Sequence, residues 1–189
     1  MIKGEASERP LRLIALHEAG HAVAALVLGC RLHKVTVADG CFHAEVDPPG
    51  NLLGFADTRE EADALMTLYW AGAAAEMRAR CPYPPGWNGD VSDAIMLIGW
   101  SVAGVFTAAE ERLVAKLRPY QGQIKNPAKK ALYDRYGGGA RAIVREHWAV
   151  IREVAAMLVE HGELTGEQVR GVFDRHREVA VEISALRFG

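Results

Sequence analysis

The chain has 189 residues and a formal net charge of -2, and half of its residues are hydrophobic. That composition is sufficient to bury a globular core without disulfide bonds. The balanced charge argues against a nucleic-acid partner, and three cysteines without a CxxC spacing argue against a disulfide framework and a cysteine-based zinc site.

The sequence carries no recognisable targeting signal. Its first ten residues are charged and lack the apolar segment of a signal peptide. No apolar run reaches the ~18 residues that a membrane-spanning helix needs. Because the cysteine pattern does not indicate disulfide bonds, a reducing compartment is the simplest inference, and we expect a soluble cytoplasmic protein with no membrane partner.

The front of the chain is predicted to combine one helix with short strands. The helix covers residues 9–28, because Pro10 is tolerated in a first helical turn and Gly29 is a typical stop. Strands are expected where β-branched and other apolar residues recur, at residues 31–38, 42–46 and 52–56.

A second predicted helix begins at a capping box. Thr58 can cap the helix, and Glu61 stands three residues later, where its side chain can reach back to the cap. The Pro- and Gly-rich residues 81–86 then form a loop. A third, long helix is expected from Asp90 to the residue before Pro119.

The back of the chain is predicted to be all-helical. A short helix begins at Pro127, and residues 137–139, all glycine, interrupt it as a flexible connection. A further helix covers residues 141–161 and ends at the glycine that follows. Thr165, with a glutamine three residues later, opens the last helix.

Together these elements predict a single α+β domain, predominantly helical, that covers residues 1–189. Its active-site region would be residues 1–118, which contain a small sheet. Residues 119–189 would form a helical C-terminal part. No internal repeat or low-complexity segment divides the chain.

The first predicted helix carries an HExxH motif that begins at His17 and ends at His21. Residues four apart share one face of a helix, so both imidazoles can bind one metal ion. Glu18 is rotated from His17 by about 100°, which places its carboxylate beside the ligand pair. There it can accept a proton from an activated water molecule, as in zinc-dependent peptide hydrolysis.

A catalytic zinc site needs a third protein ligand, and two carboxylates are candidates. Asp90 follows the flexible Gly89 at a predicted loop-to-helix junction, from which it can project towards another helix. Glu76 lies on an apolar stripe of the second helix, so its carboxylate needs a partner. Glu76 could accept a hydrogen bond from a ligating histidine or be the third ligand itself, and the spacing leaves both alternatives open.

Five segments that contain these residues follow one another in a specific order, at 17–22, 33–37, 53–55, 72–76 and 86–94. In this order they resemble the peptidase domain of FtsH-type ATP-dependent zinc metalloproteases. Residues 158–173 are similar to the last helical segment of that domain. The resemblance therefore covers most of the chain.

The resemblance implies a zinc-binding peptidase with defined site residues. It makes His17, His21 and Asp90 the zinc ligands and Glu18 the catalytic base. It implies that Glu76 contacts a ligand and does not bind the metal.

The resemblance also implies a polypeptide substrate. Leu53, Gly54 and Phe55 would lie on an edge strand with which extended substrate pairs as an added strand. The chain has no GxxxxGK[ST] phosphate loop, so unfolding would require a separate ATPase or regulatory partner. The chain could also form a homo-oligomer. Ala73 and Gly89 depart from the family pattern, in which arginine and asparagine are usual.

We therefore expect a stand-alone zinc endopeptidase that hydrolyses unstructured polypeptide. The alternative is a zinc-binding regulatory or interaction module that is inactive or specialised for one partner. Glu18 favours the enzyme, because a purely structural zinc site has no need of a base.

Overall fold

The computed structural model of the protein describes residues 10–38, 42–47, 56–79, 104–117 and 127–188. These residues form α1 (Leu11–Val27), β1 (Arg31–Thr36), β2 (His43–Asp47), α2 (Arg59–Arg78), α3 (Ala108–Leu117), α4 (Pro127–Tyr136), α5 (Gly138–Glu146), α6 (Trp148–His161), β3 (Glu163–Thr165) and α7 (Gly166–Phe188). The predicted class, α+β and predominantly helical, is confirmed. None of the helices in these ranges is both long and apolar enough to cross a membrane.

The helix α1 lies at the centre of the core and packs against α2 and α6. Its residues from Ile14 to Gly20 are all buried, as are most of those that follow. A helix that is apolar around most of its circumference is expected to be enclosed on several sides. It ends before Gly29, whose φ of +75° confirms the predicted stop.

The helix α2 begins as its sequence predicts. The Thr58 hydroxyl accepts a hydrogen bond from the Glu61 amide, and the Glu61 carboxylate accepts one from the Thr58 amide. This capping box satisfies donors that the first turn of a helix leaves unpaired. The alanine-rich middle of α2 is buried against α1.

The sheet contains three antiparallel strands in the order β2-β1-β3. The first two strands confirm the prediction within two residues at each end. The prediction missed β3, so the back of the chain is not all-helical. Three residues are too few to show an alternating pattern, and β3 exists because Val35 of β1 pairs with Leu164. The predicted strand at 52–56 lies outside the described residues, apart from Ala56.

Two helix predictions were wrong. The helix expected from Asp90 to the residue before Pro119 is not continuous, because residues 104–107 form a turn before α3. Gly104 has a φ of +96°, and Thr107 and Glu110 form a capping box that starts a new helix. The single helix expected at 141–161 is interrupted at His147, whose ring lies 5.2 Å from that of Phe173.

The glycines 137–139 interrupt the helix that begins at Pro127, as predicted, because α4 ends at Tyr136 and α5 begins at Gly138. Gly139 lies inside α5, and a side-chain carbon there would stand 2.4 Å from the Thr67 hydroxyl oxygen of α2. The missing side chain therefore allows α5 to pack closely on α2. The division of the chain into residues 1–118 and 119–189 stays a prediction.

The carboxylate of Glu110 joins three helices. It accepts hydrogen bonds from Arg59 of α2 at 3.3 Å and from Arg135 of α4 at 2.9 Å. Burial alone would raise the pKa of Glu110. Hydrogen bonds from the Thr107 amide, Tyr136 and Arg135 outweigh burial and lower the pKa from 4.5 to about 2.

Because of this network, the free energy of unfolding should decrease as the pH falls. The pKa of Glu110 is lower in the folded than in the unfolded protein. Its ionised carboxylate therefore contributes to the free energy of unfolding above pH 4.5, and this contribution is lost as the pH falls to about 2. The free energy of unfolding should fall between pH 6 and pH 2.5, and we expect this fall to be about 2 kcal/mol smaller in Glu110→Gln than in the unmodified protein. This value allows for the screening of the half-exposed arginines by water. Urea unfolding at both pH values measures it. Glu111→Gln, at an exposed neighbour, is the control, and equal losses in both variants would refute the prediction.

The packing of α1 on α2 gives a second prediction. A side-chain carbon at Gly20 would stand 2.6 Å from the carbonyl oxygen of Ala71, a backbone atom that cannot turn away. We expect Gly20→Ala to lower the free energy of unfolding by about 1–3 kcal/mol. In α7, Gly171→Ala meets only Arg175 at 3.9 Å and should stabilise by about 0.5–1 kcal/mol. Stabilisation of both variants would contradict this account.

Candidate metal centre

The HExxH motif lies where α1 packs tightly against α2. Gly20 sits against Ala71 and Ala75 of α2, and the absence of larger side chains allows the two helices to approach. The face of α1 that carries His17 and His21 is thereby pressed against α2. His17 is only 4% exposed, so its ring is enclosed by protein.

The Nδ1 atom of each motif histidine is anchored to α2. Nδ1 of His17 lies 2.7 Å from Oε1 of Glu76, and Nδ1 of His21 lies 2.8 Å from the carbonyl oxygen of Leu68. A carbonyl oxygen only accepts hydrogen bonds, so Nδ1 of His21 must carry the proton. An ionised Glu76 requires the same of His17. With Glu76 ionised, both Nε2 atoms would be free of hydrogen and able to bind a metal ion.

The two Nε2 atoms face each other at a separation of 3.0 Å. In neutral rings with protonated Nδ1, this brings two lone pairs together, an arrangement that a cation between them would stabilise. Two nitrogens bound tetrahedrally to one zinc ion at their usual distance are about 3.3 Å apart. The described histidine pair therefore fits a metal ion with only a small adjustment.

The position of Glu76 bears on its two predicted roles. Its carboxylate has no solvent exposure and contacts His17 at Nδ1, across the ring from the nitrogen that faces His21. A carboxylate there orients a ligating ring and increases its basicity. The contact favours Glu76 as the partner of a ligand over Glu76 as the third ligand.

Glu18 follows His17 on α1 and is 5% exposed. Its carboxylate therefore lies in a region from which bulk water is largely excluded, where electrostatic interactions are stronger than in solvent. The structure places it on the element and at the position that the motif predicted. Its role as a base stays a prediction.

The other predicted site residues lie outside the described part of the chain. These are Asp90, Leu53, Gly54 and Phe55, together with Gly89 among the positions that depart from the family pattern. Within the described ranges, no group of three or more His, Cys, Asp or Glu side chains is arranged to hold a metal. The described residues thus supply two of the three predicted ligands.

The sequence analysis missed Leu68 as an anchor of the site. Its contribution is a backbone carbonyl oxygen, which every residue type has, and it lies 47 positions from His21. No pattern of residue types could have indicated it. The contact depends on the register between α1 and α2.

Comparison with known proteins found a similarity to a zinc metalloprotease. No model of a known protein family matches the chain. The chain is similar to the ATP-dependent zinc metalloprotease FtsH 1 of Thermomicrobium roseum, with 28% identity over 194 aligned positions. The similarity covers 90% of this chain but 29% of the relative. The chain therefore spans less than a third of that protein's length.

The anchoring of His17 predicts an effect on metal affinity. We expect Glu76→Gln to weaken zinc binding by about 10–100-fold, because an amide is a poorer acceptor than a carboxylate for the ring N–H. Competition with a chromogenic chelator measures the affinity. The control is Glu153→Gln, which alters another histidine–carboxylate pair, with His176 at 2.8 Å, on α6 and α7. If both variants bind zinc as tightly as the unmodified protein, Glu76 does not support the site.

Proposed function

We propose that the protein is a zinc-dependent peptidase that hydrolyses peptide bonds in unstructured polypeptide. The observation that carries this proposal is the pair of anchored imidazoles, whose Nε2 atoms converge at 3.0 Å on the helix that also carries the buried Glu18. The similarity to part of a zinc metalloprotease supports the same class of chemistry.

In this proposal His17 and His21 hold the zinc ion and Asp90 is the third protein ligand. A catalytic zinc site keeps its fourth position open for water or substrate. Zinc bound there would polarise the scissile carbonyl and lower the pKa of a water molecule towards about 7. Glu76 fixes the ring of His17 through the 2.7 Å contact at Nδ1.

Glu18 would move the proton. As the general base it takes a proton from the attacking water, and it then delivers this proton to the nitrogen of the leaving amine. Its low exposure keeps competing bulk water away from the carboxylate. Because Glu18 directly follows His17 on α1, the helix fixes the backbone of Glu18 relative to His17 and His21.

The substrate follows from the same proposal. Leu53, Gly54 and Phe55 would pair with an extended segment of polypeptide, which only an unfolded or flexible chain can offer. The relative is named as ATP-dependent. For this chain we propose that cleavage of flexible segments needs no ATP and that a separate ATPase would deliver stably folded substrates.

A second candidate is a zinc-binding regulatory module without general proteolytic activity. The observation that favours it is Ala73, which is fully buried in α2 where the family usually has arginine. Loss of that charge would alter a contact near the metal centre. Such a module would bind zinc and a partner peptide without turnover, or would cut one specific partner.

The test compares unmodified protein with Glu18→Gln in the hydrolysis of labelled unfolded casein without ATP. We expect kcat/KM to fall by about 10²–10⁴-fold, because the amide cannot accept the proton, while zinc binding is retained. Glu160→Gln, at an exposed position of α6, is the matched control. Equal activity of Glu18→Gln and unmodified protein would refute the role of Glu18. Inactivity of both zinc-loaded proteins would favour the regulatory module.

A further inference from the structure

Gly72 of α2 faces the two imidazoles of the HExxH motif. A side-chain carbon built at this glycine would stand 2.5 Å from Nε2 of His21 and 2.6 Å from Nε2 of His17. Non-bonded carbon and nitrogen atoms normally keep about 3.5 Å or more between them. The space beside both nitrogens is therefore open because residue 72 has no side chain.

The rings are not free to turn away from a side chain at this position. Nδ1 of His17 lies 2.7 Å from the Glu76 carboxylate, and Nδ1 of His21 donates a hydrogen bond to the carbonyl oxygen of Leu68. Rotation of either ring would lose one of these polar contacts in a buried region, which is costly. A larger residue at 72 must therefore break the anchors or push α2 away from α1.

We propose that Gly72 is a positioning residue that keeps open the volume in which a metal ion binds between His17 and His21. This inference rests on the proposed function. Zinc lies about 2.0–2.1 Å from a ligating nitrogen, so an ion bound to both rings would adjoin the point that a side-chain carbon at residue 72 would occupy. Any side chain there competes with the ion for the same volume.

Gly20 and Gly72 lie on facing helices but have different roles. The three atoms nearest to a side-chain carbon at Gly20 would belong to Ala71 and Ala75, whereas the three nearest to one at Gly72 would all belong to the two rings. Gly20 thus sets the distance between the helices, and Gly72 leaves room beside the ligands. Replacement of Gly72 should therefore affect metal binding as well as stability, whereas replacement of Gly20 should affect mainly stability.

The first experiment titrates zinc into metal-free unmodified protein, Gly72→Ala and Gly171→Ala, in competition with a chromogenic chelator. We expect Gly72→Ala to weaken zinc binding at least about 100-fold and Gly171→Ala to leave it unchanged. Circular dichroism verifies equal helical content. Equal affinity of Gly72→Ala and unmodified protein would overturn the inference, whereas failure of the unmodified protein to bind zinc would overturn the proposed function.

A second experiment measures the contact without metal. In metal-free protein with intact rings, we expect Gly72→Ala to lower the thermal midpoint, because the added carbon meets both imidazoles. In a chain that carries His17→Ala and His21→Ala, the same substitution should raise the midpoint, since alanine is the better helix former. Equal shifts in the two backgrounds would show that residue 72 does not contact the rings and would overturn the inference.

Discussion

The close approach of α1 to α2 is the constraint on which the rest of the site depends. Gly20 permits it, because any side chain there would collide with the carbonyl oxygen of Ala71. Glycine inside a helix costs about 1 kcal/mol relative to alanine. The packing of the buried alanines of α2 against α1 offsets this cost, and the short distance lets backbone and side-chain groups of α2 reach the histidine rings.

The same approach explains how the interior tolerates the buried carboxylate of Glu76. A buried carboxylate without a partner is strongly unfavourable, and Glu76 is fully enclosed. Its contact with His17 compensates part of that cost and fixes the ring at the same time. Stability and the geometry of the site are thus achieved by one interaction. A change that relieves the burial of Glu76 would also release the ring of His17.

The parts of the fold and site that the sequence predicted are those that depend on local spacing. The capping box at Thr58 and the pairing of His17 with His21 involve residues three or four apart, so helix geometry alone defines them. The strand β3 depends on its pairing with β1, and His147 at the helix break lies against Phe173 of α7, and no local pattern encodes either contact. The same limit applies to Leu68 and Gly72, because their roles come from the register of two helices.

The anchors also link metal affinity to the stability of the fold. An isolated α1 helix would present both imidazoles on one face, but the groups that hold the rings belong to α2. Ordering of the rings is therefore achieved during folding and does not oppose metal binding afterwards. A ligand that prefers the folded state stabilises it by about 1.4 kcal/mol for each tenfold excess over its dissociation constant. Zinc, once bound, would in turn strengthen the contact between α1 and α2 that created its site.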